Sequence, residues 1–399
     1  MSSQRPARLL WVMFFAYFTF GLSGVFGALI PDIIREFHLS RSVAALFGSA
    51  LFVSVALFAI PSGLLADRIG ARKVILGGVA LMAVGCFLVS QSHNYPLILA
   101  MVFAVGIGIT MLQTTGSPLV QDLDVKPNYP RNLNFTIACA TFGGFLAIFI
   151  LAYIRGTGRA WQWYYVVFAL ICLTLLGMFL LSRFPPRAGN AERIRLDQIG
   201  KLLRNPILLT YGIGTHIYTV GEVGTYMWIP KFFEDVHGVP AIASNAAAAT
   251  FMGRVFPSLP ALIYALFLGM QGLGRLVGGA VLNRFGSRRI MRIYSVLTLL
   301  SLLVAIFGSK YVTAVAFAAC GFFMSVLYPL IFSGTINSFS EHHGTISGLL
   351  CTAYISAALL SPFQGWMADH FGMRTAMVIP VLCMTYVIGL ALFGRAKYD

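Results

Sequence analysis

The sequence predicts an all-α membrane protein in which twelve spanning helices form two pseudo-symmetric six-helix bundles. Three observations carry that expectation. Of 399 residues, 58% are hydrophobic and only 10% charged, against about a quarter charged in soluble domains. Apolar runs of the length a bilayer requires, about 20 residues each, recur along the whole chain. A charged, glycine-punctuated hairpin occurs once per half. Gly63-Leu64-Leu65-Ala66-Asp67-Arg68-Ile69-Gly70-Ala71-Arg72-Lys73 returns as Gly279-Ala280-Val281-Leu282-Asn283-Arg284-Phe285-Gly286-Ser287-Arg288-Arg289. Folds built from such repeats move small solutes by rocking one half against the other.

The apolar runs fall near 9–31, 43–66, 74–92, 96–120, 133–155, 161–182, 206–232, 258–282, 290–308, 311–335, 345–367 and 374–394. The first follows Arg5 and Arg8 and is too long for the apolar part of a signal peptide, so it reads as a helix that stays. Six runs occupy residues 1–182 and six occupy 206–399. Between them, 183–205 is the longest polar connection, with Pro185, Pro186, Glu192, Asp197 and six Lys or Arg residues. It reads as a cytoplasmic linker joining the halves. The outer connection 233–257 is Ala-rich, opens with Glu234, Asp235 and His237, and suggests no function.

The net charge of +15 is a matter of topology. With the N-terminus inside, the inner segments hold 19 Lys or Arg residues and the outer ones 8, among them Arg35, Arg41, Arg155, Arg159 and Lys231. That is the positive-inside bias, and it places both termini in the cytoplasm of a bacterial inner membrane. No basic tail or recognition motif points to nucleic acid. The six cysteines lie inside apolar runs without metal-ligand spacing and read as small core hydrophobes. No nucleophile–base spacing or phosphate loop suggests an enzyme.

In the hairpin, Gly63 and Gly70 allow close helix approach and a tight turn. Asp67 ends the second run, where a carboxylate can accept from a neighbouring helix N-terminus or pair with arginine. It reads as a gate residue, with Arg68 and Arg72 beside it; Asn283 and Arg284 hold the same places in the second copy, where the missing acid weakens the gate. Arg275, one turn before Gly279, reads as a partner for a carboxylate or helix end.

The hairpin repeat resembles the signature of the major facilitator superfamily, and four further stretches narrow the likeness. They are Leu112-Gln113-Thr114-Thr115-Gly116-Ser117-Pro118 with Arg131-Asn132-Leu133-Asn134 and Phe142-Gly143; Val220-Gly221-Glu222-Val223-Gly224-Thr225-Tyr226-Met227-Trp228; Gly321 through Tyr328-Pro329 with Ile331-Phe332; and Ser347-Gly348-Leu349-Leu350 through Pro362 to Gly365-Trp366-Met367-Ala368-Asp369. Together they resemble the fucose–galactose–glucose:proton symporter family, which implies sugar uptake by alternating access. The family's two expected acids are missing: Gly27 and Gln113 stand in their places, so the resemblance does not carry proton coupling.

Ionisable groups inside a membrane are costly, and by default functional. Glu222, mid-way along the seventh run, is the outstanding one. It reads either as an acceptor for substrate hydroxyls and a site for a coupling proton or sodium ion, or as an acid locked to a neighbouring helix. His216 is a second coupling candidate, although six residues turn an ideal helix by about 600°, which sets the two on different faces. Sugars are held by paired hydrogen bonds and by ring faces. Gln113, Asn134, Gln271 and Gln364 supply amides that donate and accept; Tyr17, Tyr226, Tyr328 and Tyr354 supply rings, and bridging or packing roles compete for each. Trp11, Trp161 and Trp163 read as interfacial anchors. The expectation is a monomeric transporter of a monosaccharide or polyol, a uniporter or one coupled through Glu222, with no cofactor and with a small solute and the bilayer as partners. An exporter of amphipathic compounds is the alternative.

Overall fold

In the computed structural model, the described residues are 4–123, 129–184, 204–240, 258–339, 346, 349–350 and 352–395; within them the side chains of 4–7, 67, 118, 121, 122, 129–134, 279, 280 and 283 are left out. The expected linker therefore lies, from 185 to 203, outside the described residues, as does 241–257. The chain folds into helices, ten of them long and apolar enough to cross a membrane among the described residues.

Among the described residues, twelve helical units follow one another. Unit α1 is Gln4–Gly21, the 3-10 turn Leu22–Val25, and Phe26–Phe37; α2 is Arg41–Ile69, α3 Ala71–Gln91, α4 Tyr95–Leu123, α5 Tyr129–Gly156 and α6 Trp163–Leu180. In the second half α7 is Pro206–Tyr226 with Ile229–His237, α8 Leu259–Phe285, α9 Ser287–Phe307, α10 Lys310–Met324 with Leu327–Ile336, α11 Tyr354–Phe371, and α12 Met373–Ala376 with Val378–Phe393. The seventh apolar run, expected as one helix, is broken at Met227 and Trp228. Pro230 explains the break: it lacks an N–H and its ring crowds the carbonyl four residues back, which is that of Tyr226. Pro329 does the same to α10.

The neighbours repeat with a shift of six. Helix α1 packs on α4, α5 and α6, as α7 packs on α10, α11 and α12; α2 packs on α4 and α3 on α4 and α6, as α8 packs on α10 and α9 on α10 and α12. The halves meet through α2 with α11 and α5 with α8, two pairs that a two-fold axis exchanges.

Both hairpins turn in the same way. Gly70 has φ +92° and donates its N–H to the Ala66 carbonyl at 2.9 Å; Gly286 has φ +78° and donates to Leu282 at 2.9 Å. Only glycine takes that backbone region without strain. A third copy, absent from the sequence reading, ends α11: Ala368-Asp369-His370-Phe371-Gly372 repeats Ala66-Asp67-Arg68-Ile69-Gly70, and Gly372 has φ +83°. Gly63, in contrast, has no atom within 4 Å of a Cβ position, so it mediates no close helix approach.

Two outer-side charges and one tryptophan depart from expectation. Arg155 is not an interfacial charge: its side chain is 8% exposed, and its guanidinium pairs with Asp32 and donates to the Ala28 carbonyl at 2.8 Å. Arg41 is engaged between the halves, as described below. Trp161 is not an interfacial anchor but buried, its indole N–H given to Glu36, which also accepts from Gln162 at 2.7 Å. Trp11 and Trp163 are exposed, with the Arg159 guanidinium over the Trp163 ring at 4.6 Å.

Where α1 and α5 cross, backbones touch. A Cβ at Gly143 would overlap the Phe18 carbonyl oxygen, whereas Gly177 on α6 has open space. Gly143→Val should therefore overpack that crossing and destabilise the fold by about 1–3 kcal/mol or more, lowering the thermal midpoint in detergent by several degrees. Gly177→Val should leave it unchanged; equal midpoints for the two would contradict this packing.

Candidate functional site

At the end of the molecule where α2 begins, charged side chains tie the two halves together. Asp369, closing α11, accepts from the backbone N–H groups of Arg41 and Ser42, both at 3.2 Å, and from Arg41 Nη1 at 2.9 Å. The carboxylate of one half thus caps the first turn of a helix in the other, where exposed N–H groups and the helix dipole favour negative charge. The rest of the Arg41 fork goes to Asp235, with Nε at 3.1 Å and Nη2 at 2.8 Å from Oδ2. Arg35 of α1 pairs with Glu234, and Lys231 reaches Glu234 at 2.9 Å and Asp235 at 3.1 Å.

The short second segment of α7 creates this arrangement. Its nine residues place Lys231, Glu234 and Asp235 on one face at helical spacing, and Gly238 (φ +64°) ends it. Burial works to raise the Glu234 pKa, but the hydrogen bond and charge of Lys231, together with Arg35, prevail and hold it below its ordinary value.

Beneath the charges the halves are zipped by packing. Gly365 lies against the Arg41–Ser42 backbone, where a Cβ would come within 2.8 Å. Ser49 donates to the Ala358 carbonyl at 2.7 Å, and the Phe52 and Tyr354 rings stack at 5.7 Å and 9°. Tyr264 of α8 donates to the Gly24 carbonyl at 2.6 Å, and Phe26 meets Tyr226 at 5.8 Å.

The predicted site residues gather mainly around α7. Glu222, its side chain 12% exposed, accepts from the Gln271 amide of α8 and stands 3.9 Å from Arg275 Nη2. Arg275 Nη1 donates to Thr141 Oγ1 of α5 at 2.5 Å, across the divide between halves. Arg275 thus faces the carboxylate that the sequence suggested for it. His216 does not meet Glu222: its Nδ1 lies 2.6 Å from Ser356 Oγ, and Thr352 Oγ1 is 3.4 Å from Nε2. The unbroken turn of Pro206–Tyr226 keeps the two apart, as helical geometry requires.

Gln364 is buried and spends its amide on the Gly224 carbonyl at 2.9 Å, joining α11 to α7. Tyr226 lies among Phe26, Tyr264 and Phe267, and Tyr328 between Tyr218 and Phe332. In the first half, Tyr17 shares a 2.6 Å hydrogen bond with Ser117, and the half-buried Gln113 amide has no hydrogen-bond partner among the described residues. The side chains of Asn134, Asp67 and Asn283 lie outside the described residues. Arg68 is exposed, Arg72 donates to the Leu180 carbonyl at 3.3 Å, and Arg284 lies over the neighbouring Phe285 ring at 5.5 Å. No group of three His, Cys, Asp or Glu side chains among the described residues could hold a metal ion.

Sequence reasoning missed the ion cluster at the α2 start. Two signals were present: an acidic pair three and four residues after Lys231, and the return at Asp369 of the Ala-Asp-x-x-Gly turn that ends α2.

Two bundles related by a shift of six, meeting across α2–α11 and α5–α8 with polar groups between them, define a multi-pass membrane protein of the transporter class. Residues 9–262 and 257–397 match the Major Facilitator Superfamily, and the chain belongs to that family. It is 25% identical over 381 residues to a glucose/galactose transporter of Brucella abortus, covering 92% of this chain and 89% of the relative. It is 22% identical over 422 residues to the L-fucose-proton symporter of Escherichia coli, covering 97% and 92%. A crystal structure of the E. coli fucose:proton symporter FucP superposes with a TM-score of 0.69 at 20% identity, over 97% of this chain and 98% of that one.

Weakening the clamp should open this end. Asp369→Asn keeps an acceptor and removes the charge; a cysteine at Ser49, in a protein lacking the native cysteines, should then react with a water-soluble maleimide about tenfold faster, the equivalent of about 1.4 kcal/mol. The pH dependence has a fixed sign. Glu234 holds a lowered pKa while clamped, so its contribution is complete above the ordinary carboxylate range, about 4.3, and fades as pH falls through the lowered value. Labelling at this position, divided by that of a fully exposed reference cysteine to cancel the pH dependence of the thiolate itself, should rise on acidification below that range and stay flat from pH 6 to 8. An unchanged rate in Asp369→Asn would contradict the clamp.

Proposed function

We propose that this protein carries a monosaccharide or similar polyhydroxylated solute across a bacterial inner membrane by alternating access. The observation that carries the reading is the carboxylate–amide pair of Glu222 and Gln271 midway along α7 and α8, beside Arg275 and Thr141 at the divide between the halves. Acceptors and donors fixed at such a place suit hydroxyl groups, which need both. Relatives named for glucose, galactose and L-fucose, matched over nearly the whole chain, support the same solute class.

In this reading both termini are cytoplasmic, so the clamped end is the outer gate and the structure is closed to the outside. Asp67 occupies on α2 the place that Asp369 holds on α11. Because α2 and α11 pack against one another and run antiparallel, Asp67 serves the beginning of α11 when the inner end closes, with Arg68, Arg72 and Arg284 holding the hairpins at the headgroups. The two clamps compete, because the halves cannot be drawn together at both ends. Glu222 accepts from the solute and is the coupling group, with a proton or sodium ion as its partner; His216, held by Ser356, assists the motion of α7 against α11. One chain encloses the whole path, so the working unit is a monomer.

Counterflow in liposomes tests this. Radiolabelled hexose should exchange against an internal hexose pool, and Glu222→Gln should lower that flux at least tenfold while protein yield and midpoint persist. Flux of amphiphilic drugs with no hexose exchange would overturn the sugar reading, and wild-type hexose flux in Glu222→Gln would remove Glu222 from the mechanism.

A further inference from the structure

Arg275 has no task in the carriage of a neutral sugar. Such a solute needs amides and hydroxyls, and a guanidinium held mid-span is costly unless it has work to do. If Arg275 served only as a counter-charge, its planar fork would close on the carboxylate with two short parallel bonds. It does not. Nη2 stands 3.9 Å from Glu222 Oε1, an ion-pair distance longer than a hydrogen bond. That oxygen accepts from Gln271, while Nη1 is turned to Thr141 on the other half. The side chain is 24% exposed, so donors of the fork remain within reach of a solute between α5, α7 and α8.

We infer that the transported solute is a sugar acid, that its carboxylate binds Arg275, and that Glu222 takes up one proton for each anion bound. This rests on the polyhydroxylated-solute reading and narrows it. The charge balance follows from the pair itself. Before binding, Glu222 and Arg275 sum to zero. An arriving carboxylate adds one negative charge at a place of low dielectric, where an uncompensated charge is expensive. Protonation of Glu222 from the aqueous phase restores neutrality, and its new O–H can still hydrogen-bond the solute or Gln271. No other bond is made or broken, and the loaded carrier crosses with no net charge in its site.

The groups around Glu222 leave it as the one that titrates. From α7 itself come Tyr218, whose hydroxyl donates to the Met324 carbonyl at 2.8 Å, and Tyr226. From α10 comes Cys320, and from α8 Arg275 and Gln271. Ordinary phenol, thiol and guanidinium values all lie above neutral pH. From α5 the group is Thr141, which does not titrate. His216 faces α11 through Ser356.

Purified wild-type protein in weakly buffered detergent solution, with a pH indicator present, provides the test. D-glucuronate and D-galacturonate are compared with D-glucose and D-galactose. The uronates should bind at least tenfold tighter than the parent hexoses, with about one proton taken up per uronate and none per hexose. Arg275→Gln should reduce the preference by about ten- to a hundredfold, the range of a charge-assisted contact. Arg275→Lys, which keeps the charge but not the fork, should retain part of it and report that the fold survives. Hexoses binding as tightly as uronates, uronate binding without proton uptake, or a preference intact in Arg275→Gln would overturn the sugar-acid assignment while leaving the sugar reading in place. If neither class binds, both readings fall together.

Discussion

Asp369 capping the first turn of α2 is the contact on which this arrangement of the two halves depends. It joins the last residues of α11 to the beginning of a helix in the other half, and Arg41 extends the same contact to Asp235. Each ion pair here is partly exposed, with Arg41 28% and Asp369 18% accessible, and one exposed pair contributes about 0–1 kcal/mol. A network of this kind is therefore a latch and not a weld. Its modest strength suits the outer gate proposed above, and Gly365, Ser49 and the Phe52–Tyr354 stack pack beneath it.

Helix α7 links that latch to the mid-span polar groups. Its upper segment carries Lys231, Glu234 and Asp235; its lower segment carries His216, Glu222 and the Gly224 carbonyl that Gln364 holds. Pro230 breaks the hydrogen-bond ladder between the segments, at Met227 and Trp228, so the two can tilt with respect to one another. A change at Glu222 can then be felt at the clamp through one broken helix, with no longer chain of contacts required. The same logic applies to α10, broken before Pro329. These two helices stand in equivalent positions to α1 and α4, and α1 too is interrupted, by the 3-10 turn at Leu22–Val25.

Much of the architecture was legible in the sequence because a membrane simplifies the rules. Backbone groups in hydrocarbon must be satisfied within the helix, so apolar length translates almost directly into spans, and the Gly70 and Gly286 turns could be read from a repeated pattern. The break in α7 is less visible: Pro230 sits inside a continuous apolar run, yet it starts a second, amphipathic segment. The outer charges mislead for a related reason. Counting Arg35, Arg41, Arg155 and Lys231 as topology markers treats them as solvated, but three of them pair across the halves or within the α7 segment and Arg155 is buried against Asp32. Which acids lie opposite them is decided by tertiary packing between helices far apart in the chain. Glu222 stands out because a charge in an apolar run always does; its partners Gln271 and Arg275 could not be chosen from the other polar residues without the crossing of α7 and α8.

Paired distances measure the proposed alternation between two clamped ends directly. Spin labels at His38 and His237 report the clamped end, and labels at Ala71 and Ser287 report the two hairpins at the other. In lipid nanodiscs, double electron–electron resonance should show the first distance lengthening and the second shortening in the same fraction of molecules when Asp369→Asn is introduced or solute is added. Distances that stay fixed, or that lengthen together at both ends, would contradict alternation between the two clamps.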